Sequence, residues 1–152
     1  MELPIKAFCL NGNNEKIEFT IDEVFGFPSQ TSYEGGYDVK GCLEIRVGCY
    51  HVYCNNFYSS TGILYNLLTS LNLCYANLYG IANYKHLLEN DLAFSVEMTK
   101  FGHATVIGQF QENPSVNNIL NFEFETDQTC IKDAINDLKN ISSIFGDNTG
   151  KH

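Results

Sequence analysis

The residues best equipped for chemistry sit in one short stretch: Cys42, Cys49, His51 and Cys54. Thiolate and imidazole are ligands that zinc prefers, and structural zinc sites pair cysteines about two to four residues apart on turns. Here Cys49 and His51 fall on one face of an extended segment and Cys54 on the other. That spacing favours strand side chains over a metal knuckle. His51, His86 and His103 are scattered, and none stands in an H-E-x-x-H frame. There is no G-x-S-x-G elbow, phosphate-binding loop or dinucleotide glycine pattern. Gly35-Gly36 is flanked by tyrosine and acids, the wrong charge for cradling phosphate. Glu123 and Glu125 form a carboxylate pair, but glycosidase chemistry needs one such group buried to raise its pKa. A solvated acidic face fits them better. The sequence predicts no enzyme, no cofactor and no metal.

The elements that would position these side chains follow from periodicity. Residues 120–125 alternate Leu120, Phe122 and Phe124 against Asn121, Glu123 and Glu125, the mark of a strand with one face buried. Thr126 or Asp127 is placed to cap a helix beginning near Thr129, where Ile131, Ala134, Ile135, Leu138 and Ile141 recur at helical spacing up to Gly146. A second helix, capped by Ser60 or Thr61, carries Ile63, Leu64, Leu67, Leu68, Leu71, Cys74, Tyr75 and Leu78 on one stripe, with Gly80 as its stop. Extended segments are expected at residues 3–10, 16–22, 38–47, 49–55, 81–86, 92–98 and 103–111, and the tail at 145–152 reads as frayed. Residues 24–37 form a loop holding Phe25, Phe27, Tyr33 and Tyr37; these rings either pin the loop to the domain or meet a partner. The order is β-rich, helix, β-rich, helix. It predicts an α+β fold, a curved antiparallel meander sheet with two helices packed on one face, in a single domain spanning 1–152.

Composition limits the partners. Apolar residues make up 44% of the 152, enough to bury a core without staples. The formal charge is −9 and Arg46 is the one arginine, which excludes direct binding of nucleic acid or an anionic membrane, since both need a basic surface. A basic protein partner suits such a chain. Residues 1–10 carry an acid at position 2 and no long apolar run, so they do not read as a signal peptide. No run approaches the ~18 apolar residues needed to span a bilayer. The expectation is a cytoplasmic protein whose six cysteines stay reduced inside strands and helices.

Three stretches together resemble the immunity proteins of the WapI type, which accompany polymorphic toxins of the contact-dependent kind in bacteria. They are residues 41–48 (GCLEIRVG) leading to the 59–80 helix, residues 102–108 (GHATVIG), and residues 118–129 (NILNFEFETDQT). The resemblance covers residues 38–144, with little contribution from 3–37. It implies a small cytoplasmic protein that binds and blocks the C-terminal domain of a cognate toxin, often a nuclease, and it supplies no catalytic residues to carry over. Nuclease domains bear basic clefts, so an acidic protein can match them in potential. The candidate contact residues are Tyr33, Glu34, Tyr37 and Asp38 in the aromatic loop and Glu97, Glu123 and Glu125 on strand faces. The alternative is a small-ligand-binding domain, with some of the eleven Phe and nine Tyr lining an apolar pocket.

Overall fold

The computed structural model describes residues 2–87 and 91–152. Four strands come first: β1 (Ile5–Asn11), β2 (Lys16–Phe25), β3 (Asp38–Val47) and β4 (Tyr50–Ser60). Helix α1 (Thr61–Asn77) follows, then β5 (Ile81–Tyr84), β6 (Leu92–Met98), β7 (His103–Phe110) and β8 (Leu120–Asp127), and finally α2 (Gln128–Phe145). All pairings are antiparallel between consecutive strands, as an α+β meander requires.

The meander is divided. Strands β1–β4 make one four-stranded sheet and β5–β8 another, where the sequence suggested one curved sheet. The division falls at α1. Strand β4 runs without a break into the helix, and 17 helical residues carry the chain about 25 Å before β5 begins. At their junction β4 and β5 meet through side chains, with Ser59 Oγ 2.7 Å from the Tyr84 hydroxyl.

Both helices start where a side chain can accept their first free N–H groups. Ser60, extended at φ −144°, accepts from Ile63 N at 3.1 Å, and Asp127, at φ −143°, accepts from Cys130 N at 2.9 Å. The neighbouring candidates do other work: Thr61 Oγ1 accepts from Tyr37 N, and Thr126 Oγ1 donates to the Asn11 carbonyl. Helix α1 ends at Asn77 with Leu78 left-handed at φ 53°, two residues before the expected stop at Gly80, and Leu78 leaves the buried stripe.

Helix α2 buries Ile131, Ala134, Ile135, Leu138, Ile141 and Phe145 and packs against β1 and α1, while α1 also packs against β5. Burying each such Ile or Leu contributes roughly 1.5–3 kcal/mol. Buried residues from both sheets and both helices form one cluster, with Phe8 of β1 at 6.5, 6.3 and 5.8 Å from the rings of Phe19, Tyr84 and Phe94. No helix among the described residues is long and apolar enough to cross a membrane.

The tail is ordered, contrary to the sequence expectation. Asp147 and Gly150 form a bridge, and Lys151 N donates to the Tyr37 hydroxyl at 2.9 Å. The six cysteines are free thiols. Cys9 and Cys74 are buried, and burial pushes the Cys9 thiol up to about 11. Cys49, expected within a strand, lies on the exposed turn between β3 and β4.

Candidate functional site

The seven candidate residues fall into two groups. Tyr33, Glu34, Tyr37 and Asp38 belong to the loop between β2 and β3 and its exit into β3; Glu97, Glu123 and Glu125 lie on β6 and β8. The loop reaches His86, just beyond the C-terminal end of β5, whereas Glu97 pairs with Ile81 at its start. The five residue steps from Ile81 to His86 span about 16 Å at strand rise.

The loop group is mostly structural. Tyr37 is 1% exposed. Its ring packs edge-on against Phe27 at 5.1 Å, its hydroxyl donates to Pro28 O, and its N–H donates to Thr61 Oγ1. Gly62 N donates to Gly35 O, and a Cβ on Gly62 would collide with that same carbonyl, so glycine lets the loop lie directly on the start of α1. Of the two roles the sequence left open for the aromatic residues, Phe27 and Tyr37 take the pinning one. Tyr33 alone of the loop's tyrosines is fully available, and Asp38 accepts from Ser32 Oγ at 2.6 Å.

Glu34 is turned inward. Its Oε2 lies 3.2 Å from His86 Nδ1, while His86 Nε2 lies 3.1 Å from the Tyr84 hydroxyl and 3.5 Å from Asp91 Oδ1. Burial pushes the Tyr84 phenol well above its ordinary range, so it is a neutral hydroxyl here. Ser59, His86 and Glu34, linked through the buried Tyr84 hydroxyl, border a cleft of about 280 Å³ together with Ser32, Tyr33, Asp38 and Tyr58. Nucleophilic catalysis needs a hydroxyl hydrogen-bonded to a base. In this chain Ser59 meets the Tyr84 hydroxyl rather than His86, and the Glu34–His86 contact ties the loop to the segment that follows β5. Nothing in the residue pattern signals the Glu34–His86 contact, which joins residues 52 positions apart. Periodicity reports only near neighbours.

The sheet group is open. Glu97, Thr105 and Glu125 form one cross-strand row, and Ser95, Ile107 and Glu123 form the next. All three glutamates are exposed, and Ile81 and Ile107 stand half-exposed among them. Strands β5–β8 contain no lysine or arginine, and among the described residues none of the three glutamates makes an ion pair with one. The side-chain period of two is what sets the acids on this face: Phe94, Val96, Val106, Phe122 and Phe124 take the inner positions.

The zinc pattern does not assemble. His51 Nε2 is engaged 2.6 Å from Glu44 Oε2, and no group of three or more His, Cys, Asp or Glu side chains among the described residues is placed to hold a metal. Many of the buried aromatic residues pack on one another, as in the Tyr84–Phe94 stack at 5.2 Å and the Phe19–Phe57 contact at 5.3 Å.

No curated protein and no solved structure matches the chain. The model of the immunity protein WapI-like family matches residues 8–146. The match takes in β2 and the second half of β1, to which the sequence resemblance gave little weight, and runs to the end of α2. On that coverage, the chain belongs to the immunity protein WapI-like family.

Proposed function

We propose that this protein binds and neutralises a cognate toxin domain in the cytoplasm of the cell that makes it, using the open face of the second sheet. The observation that carries this reading is the uncompensated set Glu97, Glu123 and Glu125 around Ile81 and Ile107. A basic patch on the toxin, such as a nuclease's substrate cleft, complements that field, and the exposed isoleucines supply apolar area that excludes water. Tyr33 and Asp38 are secondary contacts; Glu34 and Tyr37 act by holding the loop that presents them. Catalysis by this chain is no part of the mechanism, because occupying the toxin's cleft is enough to keep substrate out.

The test is co-expression with the toxin domain encoded immediately upstream, together with titration of the purified partners. Survival and a complex at micromolar concentration support the reading. Cell death with soluble, folded protein and no complex overturns it.

A small-ligand reading has one observation in its favour. An open cleft of about 550 Å³ is lined by Tyr50, Val52, Tyr53, Cys54, Phe110 and Leu120, within the size range of small-molecule sites. It moves ahead only if the toxin test fails.

A further inference from the structure

The hairpin joining β6 to β7 carries an aromatic side chain where sterics disfavour one. Phe101 has φ 61° and Gly102 φ 77°, so both central residues of the turn from Lys100 to His103 are left-handed, the φ pattern of a type I′ turn. Asn-Gly is the preferred pair in that geometry, and a bulky residue at positive φ is an outlier. The turn is well fixed: Thr99 N donates to His103 O at 2.8 Å, and Gln128 N donates to Gly102 O at 2.8 Å, which ties the tip to the start of α2. Phe101 is nevertheless 93% exposed, so no packing within the chain offsets its strained backbone.

A second apolar group lies at the same end of the sheet. Met98 N donates to Gly80 O at 2.9 Å, which joins the connection between α1 and β5 to the end of β6, at the base of the hairpin. There Leu78, also left-handed at φ 53°, is half-exposed and Tyr79 is 80% exposed. Among the described residues the non-glycine positions with positive φ are Asn14, Leu78 and Phe101, and the last two are large apolar residues at this one end of the second sheet. Glu97 and Ile81 continue the patch onto the open face, and Lys100 and His103 flank it.

We infer that Phe101, with Tyr79 at the same end of the second sheet, is the apolar anchor of the toxin contact, entering a hydrophobic pocket on the toxin domain whose basic rim meets Glu97 and Glu125. This rests on the immunity reading above. Strain kept in the free protein is held where a partner uses the conformation, and a rigid aromatic loses little entropy on docking. Interfaces of this kind concentrate their affinity in a few central aromatic residues.

The experiment measures affinity for the upstream-encoded toxin domain and melting temperature for wild type, Phe101→Gly and Phe101→Asn. Both substitutions relieve the left-handed backbone, and the second gives the turn its preferred pair. The expected result is a melting temperature equal to or above wild type with affinity at least about fivefold weaker in both. A smaller loss of affinity overturns the inference while leaving the immunity reading intact. A fall in melting temperature alongside the loss also overturns it, since Phe101 would then be structural. Failure of wild type itself to bind the toxin domain removes the immunity reading and this inference with it.

Discussion

The two sheets present open faces of opposite electrostatic design. Strands β1–β4 hold Lys6, Lys16, Lys40 and Arg46 against Glu18, Asp22, Glu23, Asp38 and Glu44. The charges are interleaved: Glu44 alone meets Lys16 at 2.8 Å, Arg46 at 3.5 Å and His51 at 2.6 Å, and Lys6 and Lys16 both reach Glu18 at 3.5 Å. Strands β5–β8 hold Glu97, Glu123, Glu125 and Asp127 with no lysine or arginine. A face that satisfies its own charges has little to offer a charged partner. A face that leaves them unsatisfied is a standing field, tolerable at the surface and useful for attracting a cation. The difference also explains why the net charge of −9 understates the case, because the surplus is unevenly distributed.

The largest expected effect breaks the second face. Reversing Glu123 and Glu125 to Lys should slow association with the toxin domain by about tenfold or more at low salt, with the melting temperature unchanged, since neither side chain is buried. Stopped-flow association and a thermal melt read both quantities. The matching reversal on the first face, Glu23→Lys, should leave the association rate within about twofold of wild type, since the local field there is already balanced.

Asp127 belongs to the second sheet by position yet differs from its neighbours, because its carboxylate is spent on the cap of α2. Asp127→Ala should cost about 1 kcal/mol of stability by denaturant titration, without changing toxin association. The N–H of Cys130 holds its carboxyl below the ordinary aspartate value. A lowered folded pKa means the stabilisation is complete above the unfolded aspartate value and is lost as pH falls through the folded one. The gap in stability between wild type and Asp127→Ala should therefore narrow in acid.

The smallest effect concerns the first face. Glu44 is held below the usual carboxylate range, chiefly by the Lys16 ammonium and then by His51. Glu44→Gln should cost roughly 0.5 kcal/mol, because Arg46 and His51 stand about half-exposed and partly solvated ion pairs are weak. The loss should be seen near neutral pH and vanish in acid, on the same sign argument as for Asp127.

Much of this was legible in the residues. Alternation placed Glu97, Glu123 and Glu125 on wet strand faces, and the caps at Ser60 and Asp127 follow from helix chemistry. What periodicity does not encode is which strand an edge pairs with, so one meander and two sheets look alike until α1 is seen to separate β4 from β5. Long-range contacts were hidden for the same reason. Glu34 is an exposed acid in sequence terms, and its turn towards His86 depends on Gly35 lying against Gly62. Phe101 was hidden differently: Lys100–Gly102 reads as a turn, but a sequence does not show that the residue before the glycine is itself left-handed.

The central claim is that the second open face meets the toxin, and its most direct measurement is the salt dependence of association for two charge-reversed proteins side by side. Rates for wild type, Glu123→Lys/Glu125→Lys and Glu23→Lys would be followed from low ionic strength to about 0.15 M, where the Debye length falls to about 8 Å. The account predicts a steep decline with salt for wild type and Glu23→Lys, and a slow, nearly flat profile for the double reversal. Equal slopes for all three proteins, or a flat profile confined to Glu23→Lys, would contradict it.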